Sequence, residues 1–320
     1  MSGVRIALVG AGAFGTKHLD ALSVIDEAEV VAVVSTRVEQ AEEAAKRYGV
    51  AHVETDLHRV LDRPDINAVV LATPTPLHAE QAVAALRAGK HVQVEIPLAD
   101  SWTDALRVAE ATERAGLVCM VGHTRRFNPS HRWLHDRIRA GRLTLRHLDV
   151  QTFFLRRSNL NALGEPRDWT DNLLWHHAAH TVDLVRFQTG QEVVAAHVLA
   201  GPTDAGLGIP LDLSIQLRTD GGTLCTLALS FNNDGPFGSV FRYIGDTGTY
   251  LARYDDLETG HGEPVDLSEV GVPGNGIEGQ DREFVAAILA GRAPESSVAA
   301  VLASYRVLAD LDAQLAGLPR

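Results

Sequence analysis

The sequence predicts an α/β chain: a doubly wound parallel sheet, followed by an α+β region built on a largely antiparallel open sheet. Three observations predict it. A glycine-rich turn stands between a strand pattern and a helix pattern near the N-terminus. Buried-strand and helix patterns then alternate as far as residue 122. Beyond that point, strand patterns follow one another through short turns such as TDGG and DTG.

VRIALVG (4–10) is a continuous apolar run, as expected of a strand covered on both faces. It runs into GAGAFG, which places Gly10, Ala11, Gly12, Ala13, Phe14 and Gly15, and the helix KHLDALSVI follows. This is G-x-G-x-x-G in the strand–turn–helix setting that the motif requires. Gly10 allows the tight turn, Gly12 lets a pyrophosphate approach the backbone, and Gly15 lets helix pack on strand. A phosphate then sits on the unpaired N–H groups of the helix N-terminus. The first region is therefore predicted to be a Rossmann dinucleotide-binding domain.

The second strand, EVVAVVS (29–35), ends without the acidic residue that grips an adenosine ribose. Ser35, Thr36 and Arg37 stand there instead. An acid would repel a 2′-phosphate, whereas two hydroxyls and a guanidinium bind one, so NADP is expected over NAD. The plainer alternative is that Arg37 is the exposed first turn of the helix VEQAEEAAKRYG. NAVVLAT (67–73), HVQVE (91–95) and LVCMVG (117–122) continue as strands. The intervening helices are PTPLHAEQAVAALRAGK and SWTDALRVAEATERAG. Ligands of such sheets bind beyond the strand C-termini. That singles out Thr73, Pro74, Thr75 and the following His78, then Glu95, Ile96 and Pro97, and His123 onward.

After residue 122, HTRRFNPSHRWLHDRIRAG reads as a helix with an arginine-rich start. Strands are predicted at 145–155, 192–200, 211–218, 222–231, 239–246 and 248–255, a loop at 260–276, and helices to the end. The predicted division is a cofactor-binding domain over 1–122 and a substrate-binding and oligomerisation domain over 123–320. An open sheet face needs cover, which predicts a homo-oligomer, a dimer or a tetramer.

Composition narrows the function classes. The net charge is -12, which disfavours nucleic acid as a partner. No apolar run approaches the roughly 18 residues that span a bilayer. The N-terminus MSGVRIALVGAG enters a strand at once, so no signal peptide is expected. The two cysteines, Cys119 and Cys225, are too few for a disulfide framework, and a reducing, cytoplasmic setting follows. Of 29 basic residues three are lysine (Lys17, Lys46, Lys90), leaving 26 arginines. No lysine beyond residue 90 is available for proton transfer. Arginine is suited to clamping carboxylates and not to acid–base work.

LWHHAAHTVD (174–183) places three histidines within five positions. On α-helical spacing His176, His180 and Asp183 share one face, with His177 about 100° away. Three readings compete: a catalytic pair with His180 as base, a zinc site, and buried structural histidines. No glutamate stands between His176 and His180 as in HExxH, and hydride transfer needs no metal, so no metal is expected. Asp183 is expected to orient His180 through its other ring nitrogen. His123, Arg125, Arg126, Arg156, Trp169 and His177 are the candidates for holding substrate, with Arg157, Asn128, Asn232 and Asn233 weaker.

Together, GAGAFGTKHL, ATPTPLHAEQAVAALRAGKHVQVEIPLA and the histidine segment closed by Asp183 resemble the glucose–fructose oxidoreductase and inositol dehydrogenase family over almost the whole chain. QVEIPLADSW, VGHTRRFNPSH, WHHAAHTVDL and SFNNDGP look close to one branch of it. That branch belongs to protocatechuate 4,5-cleavage catabolism and uses NADP⁺ to oxidise the cyclic hemiacetal of a small dicarboxylate to a lactone. The resemblance implies His180 as the catalytic histidine, with Asp183 one turn later. It also marks a departure, since the family's Glu-Lys-Pro is Glu95-Ile96-Pro97 here. A sugar, cyclitol or dihydrodiol dehydrogenase, a non-catalytic NADP(H) sensor and a zinc hydrolase are the competing expectations.

Overall fold

The computed structural model describes residues 3–160, 164, 166–167, 169–271 and 275–317. Residues 272–274 of the predicted loop lie outside the described residues. The chain divides into two units, Met1–His123 with Ile277–Ala303, and Thr124–Gly276 with Ser304–Arg320.

In the first unit the elements run β1 (Val4–Val9), α1 (Ala13–Leu22), β2 (Ala28–Val34), α2 (Val38–Tyr48), β3 (His52–Glu54), α3 (Leu57–Leu61), β4 (Ala68–Leu71), α4 (His78–Arg87), β5 (His91–Val94), α5 (Trp102–Ala115) and β6 (Cys119–Val121). Among the described residues the sheet has six parallel strands in the order β3-β2-β1-β4-β5-β6. That is the order of a dinucleotide-binding sheet, with its reversal between β1 and β4. The central strands are apolar throughout because helices cover both faces; β4 is wholly buried. Ser101 starts α5 by accepting the Asp104 N–H, a cap visible in its sequence.

The second unit contains α6 (Pro129–Arg139), β7 (Leu145–Phe153), a π-helical turn (Leu173–Ala178), α7 (Ala179–Thr189), β8 (Val193–Ala200), β9 (Asp212–Thr219), β10 (Leu224–Ser230), β11 (Gly238–Gly245), β12 (Thr249–Arg253) and β13 (Asp256–Thr259). Its described sheet runs β13-β12-β11-β7-β10-β9-β8 and is antiparallel except where β7 pairs with β10. Strand β9 alternates buried and exposed residues, the mark of a sheet with one face packed. Its other face carries Leu199 and Leu224 exposed beside Ser214, Gln216 and Arg218.

The predicted α/β class, the parallel first sheet and the largely antiparallel second one are all present. Four features differ. The first helix starts at Ala13 rather than Lys17, since its first turn is built from the glycine motif itself. The helix expected from His123 starts at Pro129, after a 3₁₀ turn over Thr124–Arg126, because proline favours the first helical position. Strands β3 and β13, of three and four residues, are too short to show a period. Finally, the chain after residue 276 returns to the first unit. Helix α8 (Gly276–Ala290) brings Gln280 and Asp281 to Glu95, Gln93 and His18, and Ser296 bonds to the Val121 carbonyl. A division at 122/123 alone omits this return. The last helix, α9 (Val298–Gly317), spans the second boundary between the units.

Candidate active site

The three glycines of the turn have distinct surroundings. Gly10 has φ +101, and a Cβ there would lie 2.4 Å from the Ala72 carbonyl oxygen. A Cβ on Gly15 would lie 1.9 Å from the Gly10 oxygen, so helix and strand meet at van der Waals limits. Around Gly12, by contrast, nothing lies within 4 Å of where a Cβ would stand. Gly12 is the N-cap of α1 and offers no side-chain cap. The helix N-terminus therefore opens on free space, which fits a pyrophosphate. Ala13 and the half-exposed Phe14 follow, with Lys17 Nζ 4.7 Å from the Phe14 ring centroid.

At the end of β2, Ser35 Oγ accepts the Arg37 N–H at 3.2 Å, and Thr36 and Arg37 are exposed. At the end of β4, Thr73 Oγ1 donates to Gln81 at 2.6 Å, Thr75 is buried, and Pro74 caps the 3₁₀ turn that precedes α4. His78 sets Nδ1 2.7 Å from the Pro97 carbonyl and Nε2 2.8 Å from the Thr73 carbonyl. Both ring nitrogens are thus engaged by backbone, and His78 ties the ends of β4 and β5 together. Ile96 is buried, and the Ile96–Pro97 peptide is cis.

Glu95 faces neighbours of its own unit. Its Oε1 lies 3.1 Å from His18 Nε2 and accepts Gln280 Nε2 at 2.9 Å. His18 Nδ1 lies 2.9 Å from Asp281 Oδ1, which also accepts Gln93 Nε2 at 2.6 Å. Burial by itself would push the His18 pKa down. Asp281 and Glu95 outweigh it and raise His18 to about 10. Burial likewise pushes Glu95 up, and His18 more than reverses this, holding it below the usual carboxylate range. Asp281, fully enclosed, is pushed up by burial. Sequence reading missed this cluster. The one local signal was a histidine three residues after Gly15, since Gln280 and Asp281 lie far along the chain.

In the second unit, the histidine segment departs from the expected helix. Leu173–Ala178 is a π-helical turn, started by Asn172, whose side chain accepts the Leu174 N–H at 2.7 Å. The α-helical register linking His176 to His180 and Asp183 therefore does not hold across it; α7 begins only at Ala179. Such turns occur often at functional sites because they re-aim side chains. His180 stands on the first turn of α7 and is partly exposed. Asp183 is 1% exposed and joined to Arg126 by two bonds, Nε to Oδ2 at 2.7 Å and Nη2 to Oδ1 at 2.6 Å. Arg126, expected at a substrate carboxylate, and Asp183, expected to orient His180, are joined to each other by this ion pair.

A second polar group surrounds Asp171, a residue the sequence did not single out. Its Oδ2 accepts Arg156 at 2.5 Å and Arg167 at 3.1 Å, and its Oδ1 lies 3.9 Å from His176 Nδ1. Burial raises its pKa, but His176, Arg156 and Arg167 together bring it below the ordinary value. His177 packs against His176, Phe154 and Phe231. Burial, then His176, Arg156 and Arg125, depress it to about 3, so it is neutral at physiological pH. Arg125 lies over the Tyr254 and Phe241 rings and donates to Asn128 at 3.4 Å. Arg156 Nη1 and Arg125 Nε are buried donors with no acceptor among the described residues.

The remaining candidates are held by backbone or by surface partners. Trp169 accepts from Asn159 through its carbonyl and lies under Arg167. Arg157 bonds Asn232, and Asn233 donates to the Pro236 carbonyl. His123, at the end of β6, is 1% exposed. Among the described residues, no group of three or more His, Cys, Asp or Glu is placed to hold a metal ion, and no helix is long and apolar enough to cross a membrane.

Comparison with known proteins agrees with both halves. Residues 4–123 match the oxidoreductase family with an NAD-binding Rossmann fold, and residues 129–271 match the C-terminal region of bacterial oxidoreductases. The chain is 61% identical to 4-carboxy-2-hydroxymuconate-6-semialdehyde dehydrogenase of Sphingobium sp. over 312 residues, 98% of this chain and 99% of that one. It is 32% identical over 255 residues to an inositol 2-dehydrogenase of Acidothermus cellulolyticus, covering 77% of this chain and 72% of the other. Levoglucosan dehydrogenase in complex with NADH has the same fold at TM-score 0.87 and 21% identity, over 98% of this chain and 97% of that one. The chain belongs to the glucose–fructose oxidoreductase, inositol dehydrogenase and MocA family of oxidoreductases, with its NAD-binding Rossmann fold.

Proposed function

We propose that the protein is an NADP-dependent dehydrogenase. Its substrate in this reading is the cyclic hemiacetal of 4-carboxy-2-hydroxymuconate-6-semialdehyde, and its product is the lactone 2-pyrone-4,6-dicarboxylate. The observation that carries this is the 61% identity, end to end, with a dehydrogenase of that name. The residues of the second unit support it. The substrate bears two carboxylates, and Arg156 and Arg125 each keep a buried N–H without an acceptor among the described residues. Arg156 lies over the Phe231 ring that packs on His177, and both guanidiniums lower the His177 pKa. A planar fork suits a carboxylate, and two forks suit a dicarboxylate. Arg126 and Asp183 join the turn over Thr124–Arg126 to α7, the helix that carries His180.

The bound cofactor supplies the hydride acceptor. His180 takes the hydroxyl proton, and the ring carbon becomes the lactone carbonyl; NADP⁺ and hemiacetal give NADPH, lactone and one proton. No lysine stands beside Pro97, because Ile96 fills that position. Removing a proton from an ordinary secondary alcohol calls for help from a nearby cation. A hemiacetal hydroxyl is more acidic, because the second oxygen on its carbon withdraws charge, and a lone histidine suffices.

The test is initial rates on the ring-cleavage product and on myo-inositol, each with NADP⁺ and with NAD⁺. Turnover is expected on the hemiacetal with NADP⁺ preferred, and negligible turnover on the cyclitol. Arg37→Ala is expected to erode the cofactor preference by about 1.5–3 kcal/mol, the loss of a hydrogen bond to a charged group. Efficient cyclitol oxidation would overturn the substrate reading; equal use of both cofactors by the unmodified protein would overturn the role of Ser35, Thr36 and Arg37.

A second expected result concerns carboxylate recognition. Arg125→Lys and Arg156→Lys keep the charge and lose the fork. Each should raise KM by roughly tenfold, with kcat less affected. Unchanged KM in both would remove these arginines from the substrate.

Two further readings of the chain accompany this function. The exposed face bearing Leu199 and Leu224 supports a homo-oligomer, to be measured by sedimentation. A cytoplasmic setting is supported by the free, buried Cys119 and Cys225.

A further inference from the structure

The buried cluster His18–Glu95–Asp281 belongs to the cofactor-binding unit but has no part in the proton transfer described above. All three side chains are ionisable, and they arrive from three places: α1, the end of β5, and α8. His18 and Asp281 have no accessible side-chain surface, whereas Glu95 keeps 11%. Of the three, Glu95 alone reaches the surface, and it does so immediately after β5. Gly122, at the end of β6, leaves no room above it: a Cβ there would lie 2.5 Å from Glu95 Oε1. His78 is a further titratable neighbour, and its ring nitrogens face the Thr73 and Pro97 carbonyls.

The sheet order places Glu95 relative to a bound dinucleotide. In a sheet of this order a bound dinucleotide would cross at the β1/β4 reversal, with one mononucleotide over β1-β2-β3 and the other over β4-β5-β6. The ribose-binding position after β2 would take the adenosine end, which would bring the nicotinamide to the ends of β4, β5 and β6. That is where Glu95 emerges. The oxidised nicotinamide ring carries a positive charge and the reduced ring is neutral. A fixed negative charge close by, in a site poor in water, therefore acts on one redox form and not on the other.

We propose that Glu95, held by His18 and Gln280, is a positioning residue whose carboxylate favours the oxidised, cationic nicotinamide over the reduced, neutral one. His18 keeps the carboxylate ionised despite its burial, and Asp281 keeps His18 protonated. Binding free energy is thus weighted toward the oxidised cofactor, and the reduced cofactor leaves more readily. The inference rests on nicotinamide binding by this fold and not on the choice between NADP and NAD or on the substrate.

The experiment is a pair of dissociation constants, for oxidised and reduced cofactor, measured by titration of the full-length protein without substrate. A unit charge acting over about 10 Å at an effective dielectric of about 20 corresponds to roughly tenfold in affinity. Glu95→Gln, which keeps the shape and the acceptor oxygen, should weaken oxidised cofactor about tenfold and change reduced cofactor less than about twofold. Glu95→Asp, which keeps the charge, should leave the ratio of the two constants near that of the unmodified protein, even where both affinities fall. Equal weakening of both forms by Glu95→Gln would mean a role in shape alone and overturns the proposal, as does an unchanged ratio. Should Glu95→Gln fail to fold, Glu95→Ala, which removes the same charge without a new polar group, is judged by the same ratio, which must move toward the reduced form by at least threefold. Running NADP⁺/NADPH and NAD⁺/NADH in parallel separates a wrong assignment of the 2′-phosphate from a wrong assignment of the charge.

Discussion

Replacing His180 with asparagine should lower kcat by about 10²–10⁴, the usual contribution of a positioned general base. Asparagine keeps a polar side chain of similar reach but cannot take a proton. The loss belongs to kcat because the hydroxyl proton moves only as the carbon is oxidised. Cofactor affinity should stay within about twofold, since the glycine turn and Ser35, Thr36 and Arg37 lie in the other unit. His176→Asn serves as the control. His176 sits in the π turn, 3.9 Å from Asp171, and is expected to affect substrate binding more than turnover. If His176→Asn abolished turnover and His180→Asn left it near normal, the base would be the wrong histidine.

The largest effect on stability should come from Arg126→Met. Asp183 would then be left 1% exposed and without its bidentate cation. Breaking a buried pair from one side costs about 3–5 kcal/mol, because the remaining charge is neither solvated nor paired. Ser304 Oγ, 3.3 Å from Asp183 Oδ1, compensates only in part. Chemical denaturation of the second unit should shift its midpoint accordingly. Arg126→Met combined with Asp183→Leu should recover most of the loss, since an apolar pair of similar volume is often as stable as the ion pair. A single variant within about 1 kcal/mol of the unmodified protein, or a double variant worse than the single, would show that the pair does not hold α7. This also separates two roles for Asp183. If it only orients His180, Asp183→Asn slows turnover without loosening the fold.

Much of this was legible locally. The glycine spacing at Gly10, Gly12 and Gly15 states its setting within six residues, because tight turn, phosphate approach and helix packing each forbid a side chain at one position. Apolar runs on β1 and β4 and alternation on β9 report burial on two faces or on one. The resemblance to the family rested on the same short segments, and the 61% identity bears it out.

What only the tertiary structure decided were the partners of buried charges and the backbone between them. Arg126 and Asp183 lie 57 positions apart, and His18 and Asp281 lie 263 apart. Nothing in the residues near Arg126 distinguishes a guanidinium that reads a substrate from one that neutralises an aspartate. The carboxylate that the fold brings within its reach is Asp183. The π turn at Leu173–Ala178 is of the same kind: its residues suit an α-helix, and the π register, with Leu173, Leu174 and Trp175 buried in it, appears only in the fold. Side-chain periodicity is a local property and survives in the sequence. Electrostatic pairing depends on distances across the fold, and a linear chain holds no record of them.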